Sequence, residues 1–132
     1  MTVDYSFIDE WRLVWVNTSK TVTFEQMAAY LKSLSKDPRY HPPMNKLVDF
    51  RECRDYALTR EEAEKFAGLN RELSNVFSNE KCAIVAPRDL EFGMSRVHEM
   101  YITGSGLDIS VFRRLQDALD WLDIDAEQFS FD

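Results

Sequence analysis

The sequence predicts an α/β fold with a mostly parallel sheet, and three features carry that prediction. Lys46-Leu47-Val48-Asp49-Phe50 reads as a buried strand, and Thr59-Arg60-Glu61-Glu62 then opens an apolar stripe through Ala63, Phe66, Ala67 and Leu73. The strand-to-helix joint recurs after Cys82-Ala83-Ile84-Val85-Ala86, which is apolar throughout, as expected of a central strand covered on both faces. Strands joined by helical crossovers run parallel with right-handed connections, so the repeated joint dictates the sheet.

Taken in order, Tyr5 to Ile8 and Leu13 to Val16 are strand-like, rich in aromatic and β-branched residues. Asp9-Glu10 between them predicts an opening hairpin. Thr23-Phe24-Glu25-Gln26 has capping-box spacing, in which the Thr hydroxyl takes the N3 amide while the Gln reaches back. Phe24, Met27, Ala28, Leu31 and Leu34 follow at helical spacing, giving a first helix over about 24–36. Asp37-Pro38 stops it, and Pro42-Pro43 keeps the next loop extended. Leu47 to Phe50 is the third strand and about 60–77 the second helix. Pro87 ends the strand at 82–86, and a third helix from about Leu90 carries Leu90, Met94, Val97 and Tyr101 on one face. Gly104-Ser105-Gly106 breaks that helix, Leu107 to Phe112 supplies a fifth strand, and a last helix presents Leu115, Ala118, Leu119 and Leu122. The tail from Ile124 is acidic and carries Phe129 and Phe131. The order is β-β-α-β-α-β-α-β-α: a mostly parallel five-stranded sheet, edged by an N-terminal hairpin and packed with four helices. One domain is expected over 1–132, with its core over about 4–123 and an acidic tail at 124–132.

A chain of 132 residues can bury about two-thirds of the surface its unfolded form exposes. Its 45% hydrophobic and 13% aromatic content fits a packed core and argues against disorder. Net charge is −7, from 16 basic and 23 acidic residues; such a surface repels phosphate backbones, so no nucleic-acid partner is expected. No stretch approaches the roughly 20 apolar residues that span a bilayer, which excludes an integral membrane helix. Met1-Thr2-Val3-Asp4-Tyr5 lacks the basic start and apolar core of a signal peptide. Cys53 and Cys82, without CxxC spacing, read as reduced thiols of a cytoplasmic protein.

With these elements in this order, the chain resembles the STAS domains, and within them the SpoIIAA-like group of small bacterial proteins. The resemblance runs from about Val14 to Leu122. Its carriers are Thr21-Val22-Thr23, Asp37-Pro38-Arg39, Leu47-Val48-Asp49-Phe50-Arg51, Ala83-Ile84-Val85-Ala86-Pro87, Gly93-Met94-Ser95-Arg96, Val111-Phe112-Arg113 and Ala118-Leu119-Asp120-Trp121-Leu122. It implies an architecture similar to that of anti-sigma-factor antagonists, which bind a partner kinase and are switched by phosphorylation of a Ser or Thr beside an Asp. The acceptor there starts the helix after the third strand, and the matching segment here is Asp55-Tyr56-Ala57-Leu58-Thr59. Thr59 is its one Ser or Thr, but the Asp-Ser pair and following Gly of the pattern are absent. Other relatives are lipid- or nucleotide-associated, a role the resemblance permits without assigning it.

Thr59 as phosphoacceptor would exploit a helix N-terminus, where amides and dipole favour added negative charge. Its ordinary role is an N-cap, and Glu61 and Glu62 downstream would repel a phosphate. The segment from Pro87 to Tyr101 is the stronger binding candidate. Arg88 falls at the C-terminal edge of a central strand, where open α/β sheets place ligands. Arg96 and His98 follow on the next helix, and Phe92, Met94 and Tyr101 can line an apolar cleft. Gly93 costs that helix about 1 kcal/mol relative to Ala, which points to a close approach there. The plainer reading makes Met94, Val97 and Tyr101 core, packs Gly93 on the sheet and leaves Arg96 solvated. Asn70 falls within the apolar stripe of the second helix and must find partners there or line a cavity. Asp49 beside Arg51 reads as an ion pair or a cap.

His41 and His98 lie far apart, with no HxH or HExxH spacing, so no metal is expected. No GxSxG, GxGxxG or phosphate-loop pattern occurs, and no cofactor is expected. Trp11, Trp15 and Trp121 either mark an interface or cover the sheet. The expected function is therefore a non-enzymatic regulatory or binding module, taking a partner protein or a small apolar or anionic ligand, with a homodimer as one form. The contrasting reading is a small enzyme using His98 with Arg88 or Arg96 on an anionic substrate, which requires those side chains to converge on a pocket.

Overall fold

The structure, a computed structural model, describes residues 3–77, 79–102 and 104–129. In chain order the strands are β1 (Asp4–Ile8), β2 (Leu13–Asn17), β3 (Thr21–Val22), β4 (Asn45–Asp49), β5 (Asp55–Tyr56), β6 (Lys81–Val85) and β7 (Asp108–Phe112). The helices are α1 (Phe24–Lys36), α2 (Arg60–Glu72), α3 (Ser74–Phe77), α4 (Asp89–Ile102), α5 (Leu115–Trp121) and α6 (Ala126–Phe129). The main sheet has the order β1-β2-β4-β6-β7. β1 pairs antiparallel with β2 through a 3-10 turn at Asp9–Trp11, and every other neighbour is parallel. This is the mostly parallel sheet with an opening hairpin that the sequence predicts.

Strand alternation divides the core into two layers. Val14, Val16, Val48, Ile84 and Ile109 face α1, α2 and α4, where Leu31, Leu34, Phe66 and Ile102 complete the packing. Leu13, Leu47, Ala83 and Val85 face the other way and meet Ala118, Leu119, Leu122 and Ile124. Successive crossovers from β2 to β7 step in one direction, so their common hand places α1, α2 and α4 on one side of the sheet. The predicted capping box of Thr23 with Gln26 forms, and the Thr59 cap proves to be a second one, completed by Glu62.

The sequence did not foretell the small parallel sheet of β3 and β5, tied by the amides of Arg54 and Asp55 to the Lys20 carbonyl. Nor is 60–77 one helix. It breaks at Leu73, and the short α3 turns Phe77 inward until it is buried against Tyr40, with ring centroids 5.7 Å apart. The tail docks as far as Ile124, which is buried beside Leu119, and one helical turn follows; Phe131 lies outside the described residues. Trp11, Trp15 and Trp121 are half-buried on the second core layer, where they cover the sheet.

The larger correction concerns α4. The apolar stripe read from the sequence is not its buried face: Leu90 and Tyr101 are exposed, and Met94 and Val97 only half-buried. The residues turned inward are Glu91, Ser95, His98 and Ile102. Gly93 does not pack on the sheet either; it is exposed, with open space where a Cβ would stand. A helix that hides a carboxylate, a hydroxyl and an imidazole while showing leucine and methionine to solvent contradicts apolar periodicity. Something polar must receive it inside.

Candidate functional site

A partly open cavity of about 50 Å³ lies between the sheet and the three helices on its first face. Val48, Cys82, Ile84 and Ile109 form its floor, while Phe50, Tyr56 and Leu58 close the end at the C-terminal edge of the strands. Met27, Tyr30 and Leu31 of α1, with Ala63, Phe66 and Asn70 of α2, form one wall. Met94, Ser95 and His98 of α4 form the other, and Lys46, Phe77, Glu80, Leu107 and Asp108 close the far end. At about 10–15 Å³ for each water centre, the space holds a few waters, and a larger guest requires side chains to move. Met27 and Met94 are the flexible, polarizable members of the lining.

Besides Ser95 and Asp108, two polar clusters line this largely apolar chamber. In its wall the Asn70 amide nitrogen donates to His98 Nε2 at 3.2 Å, which leaves the ring proton on Nδ1. The imidazole stacks on Phe66 with centroids 5.1 Å apart, and Nδ1 has no hydrogen-bond partner among the described residues. Burial pushes the His98 pKa down to about 4, so the ring is neutral near pH 7. Asn70, an amide at a core position of α2, thus both meets a partner and lines the cavity.

At the far end Lys46 and Glu80, 6% and 2% exposed, form a buried ion pair. The Tyr40 hydroxyl donates to the same carboxylate, as does the Met44 amide at 2.9 Å. The Lys46 ammonium also lies 4.0 Å from the centre of the Phe77 ring, a cation–π contact. Burial and then the Glu80 hydrogen bond raise the Tyr40 pKa far above that of a free phenol, and burial pushes the Cys82 thiol up to about 11. Both stay protonated at neutral pH. Sequence reading missed this cluster; its signal is a charged residue at the N-terminal edge of each of two adjacent central strands, Lys46 second in β4 and Glu80 just before β6.

The remaining candidates lie elsewhere. Arg88 sits at the C-terminal edge of the sheet, 3.8 Å from buried Glu91 and donating to the Cys53 carbonyl at 3.3 Å. Neither Glu91 oxygen has a hydrogen bond among the described residues. Phe92 lies under the Arg113 guanidinium at 4.0 Å, and Arg113 pairs with Asp89 at 2.7 Å. Arg96 is exposed and pairs with Glu99 at 3.3 Å. Tyr101 is exposed, and its carbonyl accepts from Arg71 at 3.0 Å. Of the six binding candidates, only Met94 and His98 line the cavity; Arg88 and Arg96 do not join His98 there. Thr59 caps α2, its hydroxyl accepting from the Glu62 amide at 3.1 Å, an interaction that contributes about 1 kcal/mol. Asp49 takes Arg51 in a forked ion pair, as its place beside that residue suggests.

Among the described residues, no three His, Cys, Asp or Glu side chains gather as a metal set, and no helix is long and apolar enough to cross a membrane. No family model and no curated protein matches the chain. A solved structure does: an uncharacterized protein of the DUF3478 family with a SpoIIAA-like fold, from Shewanella loihica PV-4. It is 21% identical, covers 92% of each chain and superposes with a TM-score of 0.53. The chain has a SpoIIAA-like fold, the architecture that the STAS resemblance implies. At this identity the likeness concerns the fold alone.

Proposed function

We propose that the protein is a non-enzymatic binding module of the STAS type, acting in the cytoplasm, whose cavity takes a small, largely apolar ligand with one polar end. The observation that carries this reading is the inverted orientation of α4. Burying Ser95 and His98 is unfavourable unless polar atoms receive them, and one His98 nitrogen has no partner among the described residues. A ligand bearing a hydrogen-bond acceptor would fill that need while its apolar body lies on Val48, Ile84 and Phe66. Met27 and Met94 would move aside to admit it. The enzyme reading loses support from the same geometry, because Arg96 faces solvent and Arg88 pairs with Glu91 at the sheet edge.

Native mass spectrometry on gently purified protein, repeated after denaturation, tests this directly. The expected result is an added mass of a small molecule that leaves on denaturation. A naphthalene-sulfonate dye should bind the emptied protein saturably at one site, and Ala63→Leu, which fills the chamber, should abolish binding while the circular dichroism spectrum stays unchanged. An empty native protein, or dye binding indifferent to Ala63→Leu, overturns the proposal.

A further inference from the structure

The charges around the chamber restrict what its guest can carry. Among the described residues its lining holds one cation, Lys46, against two carboxylates, Glu80 and Asp108. Lys46 is already engaged: it pairs with Glu80 and lies 4.0 Å from the centre of the Phe77 ring and 5.6 Å from that of Tyr40. A guest carboxylate would meet no unengaged cation there, and burying an unpaired ion is strongly unfavourable. An ammonium fares no better at His98, whose Nδ1 already carries a proton and cannot accept another. The carboxylate left for it, Asp108, is exposed, where an ion pair contributes little.

We propose that the guest is an uncharged carbonyl compound, a ketone, aldehyde or ester of an apolar chain, whose oxygen accepts a hydrogen bond from His98 Nδ1. This rests on the reading above that the chamber takes a guest. The surroundings of the ring prepare it for that task. Asn70 donates to Nε2 at 3.2 Å and so holds the proton on Nδ1, while Phe66 stacks on the ring with centroids 5.1 Å apart. His98 is only 7% exposed, and Nδ1 finds no acceptor among the described residues. Asn70 is thereby a positioning residue: it decides which nitrogen donates and acts on the guest through the ring alone.

A carbonyl suits this donor better than a hydroxyl. It needs a donor and nothing else, whereas a hydroxyl brings a proton of its own that must also be received. The bond satisfies Nδ1 without bringing charge into the chamber, and the chain of the guest lies along Val48, Ile84 and Ile109.

NMR titration of the isotopically labelled full chain with methyl hexyl ketone, octane and octanoate, guests of equal carbon number, tests the assignment. The ketone is expected to saturate one site and to move the His98 Nδ1 proton downfield, as a new hydrogen bond requires. Octane fills the same site without that downfield shift, and octanoate binds at least about tenfold more weakly than the ketone at neutral pH. His98→Phe keeps a ring against Phe66 but loses the donor, so it weakens the ketone by about tenfold while the affinity for octane holds. Circular dichroism establishes that the variant is folded, and the ring-proton signal is read on the wild-type chain whatever the variant does. Octanoate binding more tightly than the ketone overturns the proposal, as does a ketone that leaves the ring proton unmoved or a variant that weakens ketone and octane alike. Each of those results leaves the chamber a ligand site. If none of the three guests binds, the chamber reading falls and this proposal falls with it.

Discussion

Replacing Lys46 with Met destabilises the protein by about 3–5 kcal/mol, read as a lower urea midpoint at an unchanged denaturant slope. Both partners of the Lys46–Glu80 pair are buried, and removing the ammonium strands a carboxylate beneath the sheet edge with only Tyr40 and Met44 as donors. The test of the cause is the double variant. Adding Glu80→Gln removes the stranded charge while its amide oxygen still accepts from Tyr40 and Met44, so most of the loss returns. A double variant as unstable as Lys46→Met alone would place the cost elsewhere, in the contact of Lys46 with Phe77.

The second large effect is a loss of stability in mild acid caused by His98. Its folded pKa is pushed down to about 4 by burial, against about 6.5 when unfolded. The folded ring stays neutral while the unfolded one takes up a proton, so the contribution is complete above pH 6.5 and is lost as pH falls toward 4. Over that window the loss comes to about 3 kcal/mol. Asp37, whose pKa is lowered by its bonds to Arg39, acts in the same direction but only below the ordinary carboxylate range, so the two windows separate. Chemical denaturation at successive pH values should show the His98 limb in the parent and a flat profile between pH 4.5 and 6.5 in His98→Leu. A parent already flat there would mean that the ring is charged or solvated in the fold.

Much of the architecture is legible in the residues. The apolar run of Leu13 to Val16, the buried-looking Leu47-Val48, the Thr23 capping box, the Thr59 cap and an all-apolar central strand each have one physical reading, and the fold follows them. The orientation of α4 is not legible in the same way. Leu90, Met94, Val97 and Tyr101 form a valid helical stripe, and so do Glu91, Ser95, His98 and Ile102; periodicity alone favours the first. What selects the second lies in other elements. Asn70 on α2 offers His98 a hydrogen bond, and Phe66 offers it a stacking face. An amide at a core position of α2 was the available hint that its neighbour would also be polar. The Lys46–Glu80 pair is hidden for a similar reason: its members lie 34 residues apart and meet only because β4 and β6 are parallel neighbours.

The inward face of α4 also bears on how the molecule comes apart. α1 is held by Met27, Ala28, Tyr30, Leu31 and Leu34, all withdrawn from water, whereas α4 withdraws one aliphatic side chain, Ile102, beside three polar ones. Apolar burial stabilises at roughly 25 cal/mol per Å², so the two helices are anchored very unequally. Fluctuations short of global unfolding fall where anchoring is weakest. Among the three helices that wall the chamber that is α4, whose backbone amides are expected to open to solvent exchange while the central strands stay shut. The element that walls the chamber is thus also its most readily released part, and a guest inside would register first as slower exchange along that one helix.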